Sequence, residues 1–229
     1  MPELQIIGAP QSNYVWVARI ACHEKGVPYT LVPAMPHTPE VDAIHPLGKI
    51  PALRHGDVIL AESRAICFYI DHVFEGPPLA PRDPVGGARA EQWISIVNTH
   101  FDALVARPYV GAYFFPGTPD GSRNRPIIES ALPKLEGQFA ILDHALAKTG
   151  HFVGSTFTLA DMNVLPMLFY LHSSAGERHN GAPECEPCGL LRAPHGAHQR
   201  QGRRSATLPR PHLLGRRKLS GVEPCATCF

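Results

Sequence analysis

The sequence has neither a long apolar run nor an excess of one charge. Its 229 residues include 21 Lys and Arg against 20 Asp and Glu, so the charge balance does not favour nucleic acid or an acidic membrane surface as a partner. No apolar run approaches the roughly 20 residues that a bilayer span requires, and the N-terminal "MPELQIIGAPQ" lacks the basic and apolar regions of a signal peptide. We therefore expect a cytoplasmic enzyme or binding protein, with no membrane or nucleic-acid partner.

Cysteine is scarce before residue 173. Only Cys22 and Cys67 occur there, and both fall on apolar helix faces, where a cysteine is typically a small buried hydrophobe. The other four form "CEPC" at 185–188 and "CATC" at 225–228, with 36 residues between the pairs. The usual four-cysteine zinc pattern has roughly 15–20 residues there, and disulfides are rare in a reducing cytoplasm. We therefore predict no metal site.

The composition changes near His172. Residues 173–229 hold nine Lys and Arg and four acids, whereas residues 1–172 hold 12 and 16. The later segment has almost no large apolar residue beyond six leucines, Val222 and Phe229. Such a composition is typical of a disordered or poorly packed chain. We therefore treat residues 173–229 as an atypical tail and interpret the rest separately.

The first 76 residues alternate between strand and helix patterns. These segments are a β-branched run at 4–8, an amphipathic helix at 12–26, a strand at 28–34, a short helix after Thr38, a hairpin around Gly56–Asp57, and a helix at 62–74. The order, βαβ, then α, then ββα, predicts a thioredoxin-like unit, in which a mixed sheet carries helices on its faces.

Every later segment up to residue 172 has a helical pattern. Residues 77–84 form a Pro-rich linker, and residues 85–172 are predicted to be a helical domain with helices at 84–115, 125–150 and 157–172. Pro108 should kink the first of these helices. Thr158 and Asp161 should form a capping box at the start of the last one, each satisfying a backbone N–H. The predicted fold class is α+β: a thioredoxin-like domain (βαβαββα) followed by an all-α domain.

Four motifs together resemble a known family. They are Ser12 at the start of the first helix, "HPLGKIPAL" at 45–53, "ESRAI" at 62–66 and "FTLADMNVLPML" at 157–168. In order and approximate spacing they are similar to the cytosolic glutathione S-transferases, nearest to the serine-type phi, tau and theta branches and related bacterial enzymes. The resemblance covers about residues 3–172 and implies glutathione as co-substrate, a small hydrophobic electrophile as second substrate, and a homodimer.

The tail departs from this family, which has two or three further helices after residue 172. A mixture rich in Arg, Pro, Gly, His and Cys is what GC-rich DNA encodes when it is read out of phase. Synonymous codons for residues 185–201, read one base later, can encode an amphipathic helix. We therefore predict that the tail results from a frameshift.

Ser12 is the predicted catalytic residue. A serine at a helix N-cap is most often only a cap, yet the same place attracts an anion, because unpaired N–H groups and the positive end of the helix dipole meet there. A hydroxyl that donates to a thiolate at this place would populate it at neutral pH. Tyrosine-type members carry a tyrosine where this chain has Ile6–Gly8, and cysteine-type members carry Cys in place of Ser12. Tyr14 is a weaker candidate for lining the sulfur site.

The resemblance also implies how the rest of glutathione is held. The Ser63 hydroxyl and the first-turn N–H groups would bind the γ-glutamyl carboxylate as hydrogen-bond donors, while Glu62 would hold the ammonium group. Without the resemblance, Glu62 and Ser63 would be interpreted as helix caps. Lys49 would reach the glycyl carboxylate, with His37 as a second candidate, although both are also ordinary loop residues. The Ile50–Pro51 bond is expected to be cis, so that the Ile50 backbone pairs with the cysteinyl part of glutathione.

The electrophile pocket is the least defined part of the prediction. Tyr109, Tyr113 and Phe114 cluster where the family places part of this pocket, but aromatic residues at helical spacing are more often core. The predicted function is conjugation of glutathione to small electrophiles. A non-catalytic glutathione-binding or interaction module stays open, as do glutathione-dependent peroxide reduction, dehalogenation and isomerisation.

Overall fold

The computed structural model describes residues 2–115 and 117–175. The predictions for most of the tail, including its disorder, its frameshift origin and the absence of zinc at "CEPC" and "CATC", fall on residues outside that range. Within it, the predicted fold class is confirmed: a thioredoxin-like unit precedes a helical unit.

The thioredoxin-like unit has four strands and three helices in the predicted order. They are β1 (Leu4–Ile7), α1 (Asn13–Lys25), β2 (Thr30–Val32), α2 (Pro39–Asp42), β3 (Ala52–His55), β4 (Val58–Ala61) and α3 (Ser63–Val73). The sheet order is β2-β1-β3-β4. β1 pairs with β2 in parallel and with β3 antiparallel, and β3 and β4 form the predicted hairpin.

Up to residue 175, the described part of the helical unit contains four α-helices and one π-helical segment. They are α4 (Pro84–Ile96), the π segment (Val97–Ala106), α5 (Arg107–Phe114), α6 (Arg125–Leu146) and α7 (Leu159–Ala175). The helix changes its hydrogen-bond register directly before Pro108, at the end of the π segment, and the kink at Pro108 stays a prediction. Pro108 occupies the first turn of α5, where its missing N–H would otherwise have bonded to a carbonyl of the preceding turn.

Buried apolar side chains join the two units. The core beneath the sheet contains Ile6, Ile20 and Ile66 together with Leu159 and Met162 of α7. A second core lies inside the helical unit. Side chains of α7 pack in the same core as side chains of α1. This packing fixes the position of α1 relative to the helical unit.

The start of α7 differs in one detail from the predicted capping box. Asp161 Oδ2 accepts the Thr158 N–H at 2.8 Å, as expected, and Asp161 Oδ1 accepts the Phe152 N–H at 3.1 Å. The Thr158 hydroxyl, however, donates to Asp161 Oδ2 at 2.9 Å instead of accepting a backbone N–H. The carboxylate therefore carries the cap, and the threonine orients that carboxylate.

Among the described residues, no helix is long and apolar enough to cross a membrane.

Candidate functional site

Ser12 is the N-cap of α1, directly before the first helical residue, Asn13. Its carbonyl accepts the Trp16 N–H at 2.9 Å, so its backbone begins the helix as predicted. Ser12 is half-buried, and its hydroxyl makes no capping hydrogen bond to the described backbone. That hydroxyl therefore lies at the positive end of the α1 dipole without being engaged as a cap, which is the arrangement required of a donor to a bound anion.

Gly8 brings the start of α1 against the "HPLGKIPAL" segment. It has φ near +153°, and a Cβ there would lie 2.5 Å from Val15 Cγ2 and 3.1 Å from Ile50 Cβ, so glycine is the residue that fits. Ile50 therefore packs beside the first turns of α1. The Ile50–Pro51 bond is cis, which confirms the expectation from the resemblance.

A backbone hydrogen bond holds His37, before α2, next to Gly48, the residue that precedes Lys49. The His37 N–H donates to Gly48 O at 2.9 Å, and a Cβ on Gly48 would collide with His37 Nδ1. Gly48 also has φ near +59°, so two independent reasons require glycine there. His37 Nδ1 lies 3.7 Å from Asp42 Oδ1, while Lys49 is exposed.

Glu62 and Ser63 begin α3. Ser63 is its buried first residue, and Glu62 is the N-cap, with the left-handed φ of 70° and with its carbonyl accepting the Ile66 N–H at 3.0 Å. The Glu62 side chain is 69% exposed, and its Oε1 lies 3.3 Å from Nε2 of the buried His45. No capping bond from the Glu62 side chain to the described backbone is made, so its carboxylate is accessible to a ligand.

Tyr14 belongs to a polar cluster that the sequence did not reveal. Its hydroxyl donates to Oδ2 of the buried Asp102 at 2.8 Å, and Asn13 Nδ2 donates to Asp102 Oδ1 at 3.4 Å. Arg107 Nε donates to Asp102 Oδ2 at 3.2 Å, and the guanidinium lies 5.5 Å from the centre of the Tyr14 ring. Burial and the neighbouring Asp102 raise the pKa of Tyr14. Tyr14 is therefore a protonated donor to Asp102, and the sequence distance of 88 residues hid this pair.

One of the three predicted pocket aromatics connects to the Ser12 loop. The Phe114 ring lies edge-on to Tyr170 of α7, with 6.0 Å between ring centres. The Tyr170 hydroxyl in turn donates to Gln11 O at 2.7 Å. Tyr170 was not predicted as a site residue, yet it contacts both the aromatic cluster and the residue before Ser12.

The other two predicted pocket residues have different surroundings. Tyr109 is buried in the core of the helical unit, and its hydroxyl donates to Tyr113 Oη at 3.5 Å. The Arg123 guanidinium lies 4.9 Å from the centre of the Tyr113 ring. Tyr109 therefore has the packing of a core residue, the alternative that its helical spacing left open, whereas Tyr113 is half-buried beside a cation.

The two cysteines of this region are unreactive by environment. Both are free and buried, as predicted, and burial raises the pKa of the Cys67 thiol to about 12. Burial likewise raises the pKa of Cys22. A thiol is a weak nucleophile while it stays protonated, so neither Cys22 nor Cys67 is a candidate nucleophile.

Comparison with known proteins connects both units to one family. Residues 6–78 match the family described as "Glutathione S-transferase, N-terminal domain", and residues 104–184 match "Glutathione S-transferase, C-terminal domain". Glutathione S-transferase 3 of Zea mays is 34% identical over 186 residues, which cover 73% of this chain and 79% of that protein.

Two solved structures have a similar fold. Glutathione transferase F7 from Populus trichocarpa superposes with a TM-score of 0.68 at 28% identity, over 75% of this chain and 85% of that one. The theta class glutathione S-transferase from Xanthomonas axonopodis pv. citri, solved with glutathione bound, gives a TM-score of 0.64 at 28% identity, over 76% and 83% of the two chains. From its two matching domains and its 34% identity to a named relative, the chain belongs to the glutathione S-transferase family.

Proposed function

We propose that the protein is a serine-type glutathione transferase that conjugates glutathione to small hydrophobic electrophiles. The observation that carries the proposal is the position of Ser12: its hydroxyl lies at the N-terminus of α1 and is not engaged as a helix cap. The other groups that a tripeptide needs come from the neighbouring "HPLGKIPAL" loop and from the start of α3. The theta class relative with glutathione bound supports the same ligand here.

Ser12 acts on the sulfur of glutathione. A free thiol titrates near ~8.5, and a hydroxyl donor combined with a helix N-terminus favours its thiolate. The thiolate lone pair forms the new carbon–sulfur bond while the bond from that carbon to its leaving group breaks, and the leaving group departs with the electron pair. Ser12 keeps its own proton throughout, so its contribution is electrostatic and not covalent.

The remaining groups of glutathione bind along one edge of the thioredoxin-like unit. The Ser63 hydroxyl and the first-turn N–H groups of α3 donate hydrogen bonds to the γ-glutamyl carboxylate, because a helix N-terminus is an anion site. The Glu62 carboxylate holds the ammonium group. The backbone of Ile50, before the cis Pro51, pairs with the cysteinyl residue.

The glycyl end and the electrophile complete the assignment. Lys49 binds the glycyl carboxylate, and His37, which the loop holds beside Gly48, is its second contact. The electrophile lies between Tyr14 and Phe114, with Tyr113 at the far end. Tyr109 supports the pocket from within the core.

Three broader assignments belong to the same proposal. The domains span residues 1–76 and 85–172, with a linker at 77–84. The protein acts in the cytoplasm as a homodimer, and exposed apolar side chains such as Phe68, Leu104 and Ile141 supply surface suited to a second copy.

Replacing Ser12 with alanine tests the proposal. With chlorodinitrobenzene as electrophile, we expect kcat/KM to fall by about 10²–10³, the usual effect of removing one donor to a developing or bound anion. The Kd for glutathione should change less than about threefold, because the other contacts remain. Ser12→Thr, which keeps a hydroxyl, should retain much more activity.

Two other outcomes would lead elsewhere. Equal turnover by Ser12→Ala and wild type would remove Ser12 from the mechanism. Tight glutathione binding by the wild type without turnover of any electrophile in a broad panel would favour the non-catalytic binding module.

A further inference from the structure

His45 is a buried histidine between two parts of the candidate glutathione site. It follows α2 and precedes the loop that carries Lys49 and Ile50, and its side chain is 3% exposed. Its backbone is fixed on both sides: the His45 N–H donates to Val41 O at 2.8 Å, and its carbonyl accepts the Gly48 N–H at 2.9 Å. The imidazole therefore has a defined position inside the fold.

The partners of the two ring nitrogens determine where the ring proton lies. Nδ1 accepts the Leu47 N–H at 3.1 Å, so Nδ1 carries a lone pair. In a neutral imidazole the proton is then on Nε2. Nε2 lies 3.3 Å from Glu62 Oε1, so the N–H edge of the ring is next to a carboxylate oxygen.

Glu62 needs support from its surroundings. It is one of two non-glycine residues with positive φ among those the structure describes, a conformation that persists only where neighbouring contacts hold it. Its side chain is otherwise largely exposed. The buried ring of His45 contacts the Glu62 carboxylate. The same ring accepts the Leu47 N–H and so stabilises the turn there.

We propose that His45 is a positioning residue: its Nε2–H holds the Glu62 carboxylate where it accepts the ammonium group of glutathione, and its Nδ1 ties that carboxylate to the loop carrying Lys49 and Ile50. This inference rests on the proposed function, because it requires that Glu62 binds the ammonium group. A histidine with a purely structural role would stabilise the fold without distinguishing one ligand group from another.

Two substitutions separate the two ring nitrogens. In His45→Asn, the side-chain oxygen occupies the place of Nδ1 and still accepts the Leu47 N–H, as in an Asx-turn, but nothing reaches Glu62. In His45→Gln, the amide nitrogen extends to the place of Nε2 and donates to Glu62, while the acceptor for Leu47 is lost. The pair is matched in polarity and leaves neither variant with a large cavity.

The test compares glutathione with the analogue in which hydrogen replaces the γ-glutamyl amino group. Binding of each to the full-length protein is measured by calorimetry. We expect His45→Asn to weaken glutathione binding about five- to tenfold and to leave binding of the analogue unchanged, while His45→Gln keeps most of the wild-type affinity. Glu62→Gln should weaken glutathione binding similarly, and adding His45→Asn to it should cause little further loss.

Each result decides between the inference and its foundation. Equal losses for both ligands in His45→Asn, or no loss there while Glu62→Gln weakens glutathione binding, would overturn the inference alone. If the wild type binds glutathione no better than the analogue, Glu62 does not hold the ammonium group and the inference falls with that assignment. If the wild type binds neither ligand, the proposed function itself is wrong.

Discussion

The two helix N-termini at the candidate site are held in different ways. The start of α1, which carries Ser12, is tied to the helical unit: Tyr14 and Asn13 donate to Asp102 of the π segment, and Tyr170 of α7 donates to Gln11 O. At the start of α3, the Glu62 carboxylate lies 3.3 Å from Nε2 of His45, inside the thioredoxin-like unit. On the proposed assignment, the group that acts on the sulfur depends on how the two units pack, whereas the group that holds the γ-glutamyl ammonium contacts a loop within one unit.

The ion pair between Arg64 of α3 and Glu91 of the helical unit is of a weaker kind. Arg64 Nε donates to Glu91 Oε2 at 2.9 Å, and the two side chains are 30% and 50% exposed. Exposed pairs contribute only about 0–1 kcal/mol. Asp102 is 3% exposed. Removing its carboxylate would leave donors such as the Tyr14 hydroxyl without an acceptor, which lowers the free energy of unfolding. The contrast between these two carboxylates can be tested directly.

The largest expected effect on stability follows from Asp102→Ala. The half-buried Tyr14 would lose the acceptor of its hydroxyl, and we expect the free energy of unfolding in urea to fall by about 2 kcal/mol. Turnover should fall by about tenfold, because the Ser12 hydroxyl, if displaced by about 1 Å with the start of α1, would stabilise the thiolate much less. The Kd for glutathione should change less than turnover.

Two variants control for this result. Asp102→Asn keeps an acceptor for Tyr14 and should retain more stability than Asp102→Ala. Glu91→Ala removes a carboxylate whose ion pair with Arg64 also connects the two units. This change should lower the free energy of unfolding by less than about 1 kcal/mol and leave turnover unchanged. Equal effects of Asp102→Ala and Glu91→Ala would contradict the different dependence of the two helix starts.

Tyr14→Phe should have an intermediate effect, because it removes one hydrogen bond and leaves Asp102 paired with Arg107. We expect a loss of about 1 kcal/mol at neutral pH. The pKa of Tyr14 is raised in the folded protein, so the unfolded chain loses this proton first as the pH rises above ~10. Wild-type stability should therefore fall with pH in that range.

The alkaline slope separates Tyr14 from other groups. Cys22 and Cys67 also have raised pKa values and contribute to the fall in both proteins, so the difference between the two curves isolates the tyrosine. Urea unfolding at several pH values measures it. Curves for wild type and Tyr14→Phe that stay parallel above pH ~10 would show that the hydroxyl is not protected by Asp102.

The sequence predicted the parts of the site that are local. Ser12, "HPLGKIPAL" and "ESRAI" are short motifs whose proposed roles came from the family resemblance, and the order of strands and helices followed from hydrophobic patterns and from glycine and proline positions. Asp102 and Tyr170 could not be predicted in the same way. Their partners lie 88 and 159 residues away in sequence, and an aspartate or tyrosine on a helix has many possible environments.

The π segment was missed for a related reason. Hydrophobic spacing over residues 84–115 fits an α-helix throughout, and a change of hydrogen-bond register has no compositional signature. The segment begins at Val97 and contains Asp102. The prediction at Pro108 placed an irregularity next to this segment but did not give its extent over Val97–Ala106.

The smallest expected effect is at the glycyl end, where neither helix start is involved. Lys49 is exposed, so its contact with a carboxylate should contribute no more than other exposed pairs. We expect Lys49→Met to raise the Kd for glutathione about threefold at low ionic strength, and this difference should shrink as salt screens the pair. Stability in urea should not change, because the side chain is solvated.

A ligand without the glycyl carboxylate provides the control. Glutathione with a C-terminal amide should bind wild type and Lys49→Met equally, since the charge that Lys49 contacts is gone. His37→Ala should cost less than Lys49→Met, because His37 Nδ1 lies near Asp42 and the ring packs over Gly48. If His37→Ala has the larger effect and the amide abolishes it, the histidine is the main contact, and the glycyl end is held by the loop before α2 instead of the one after it.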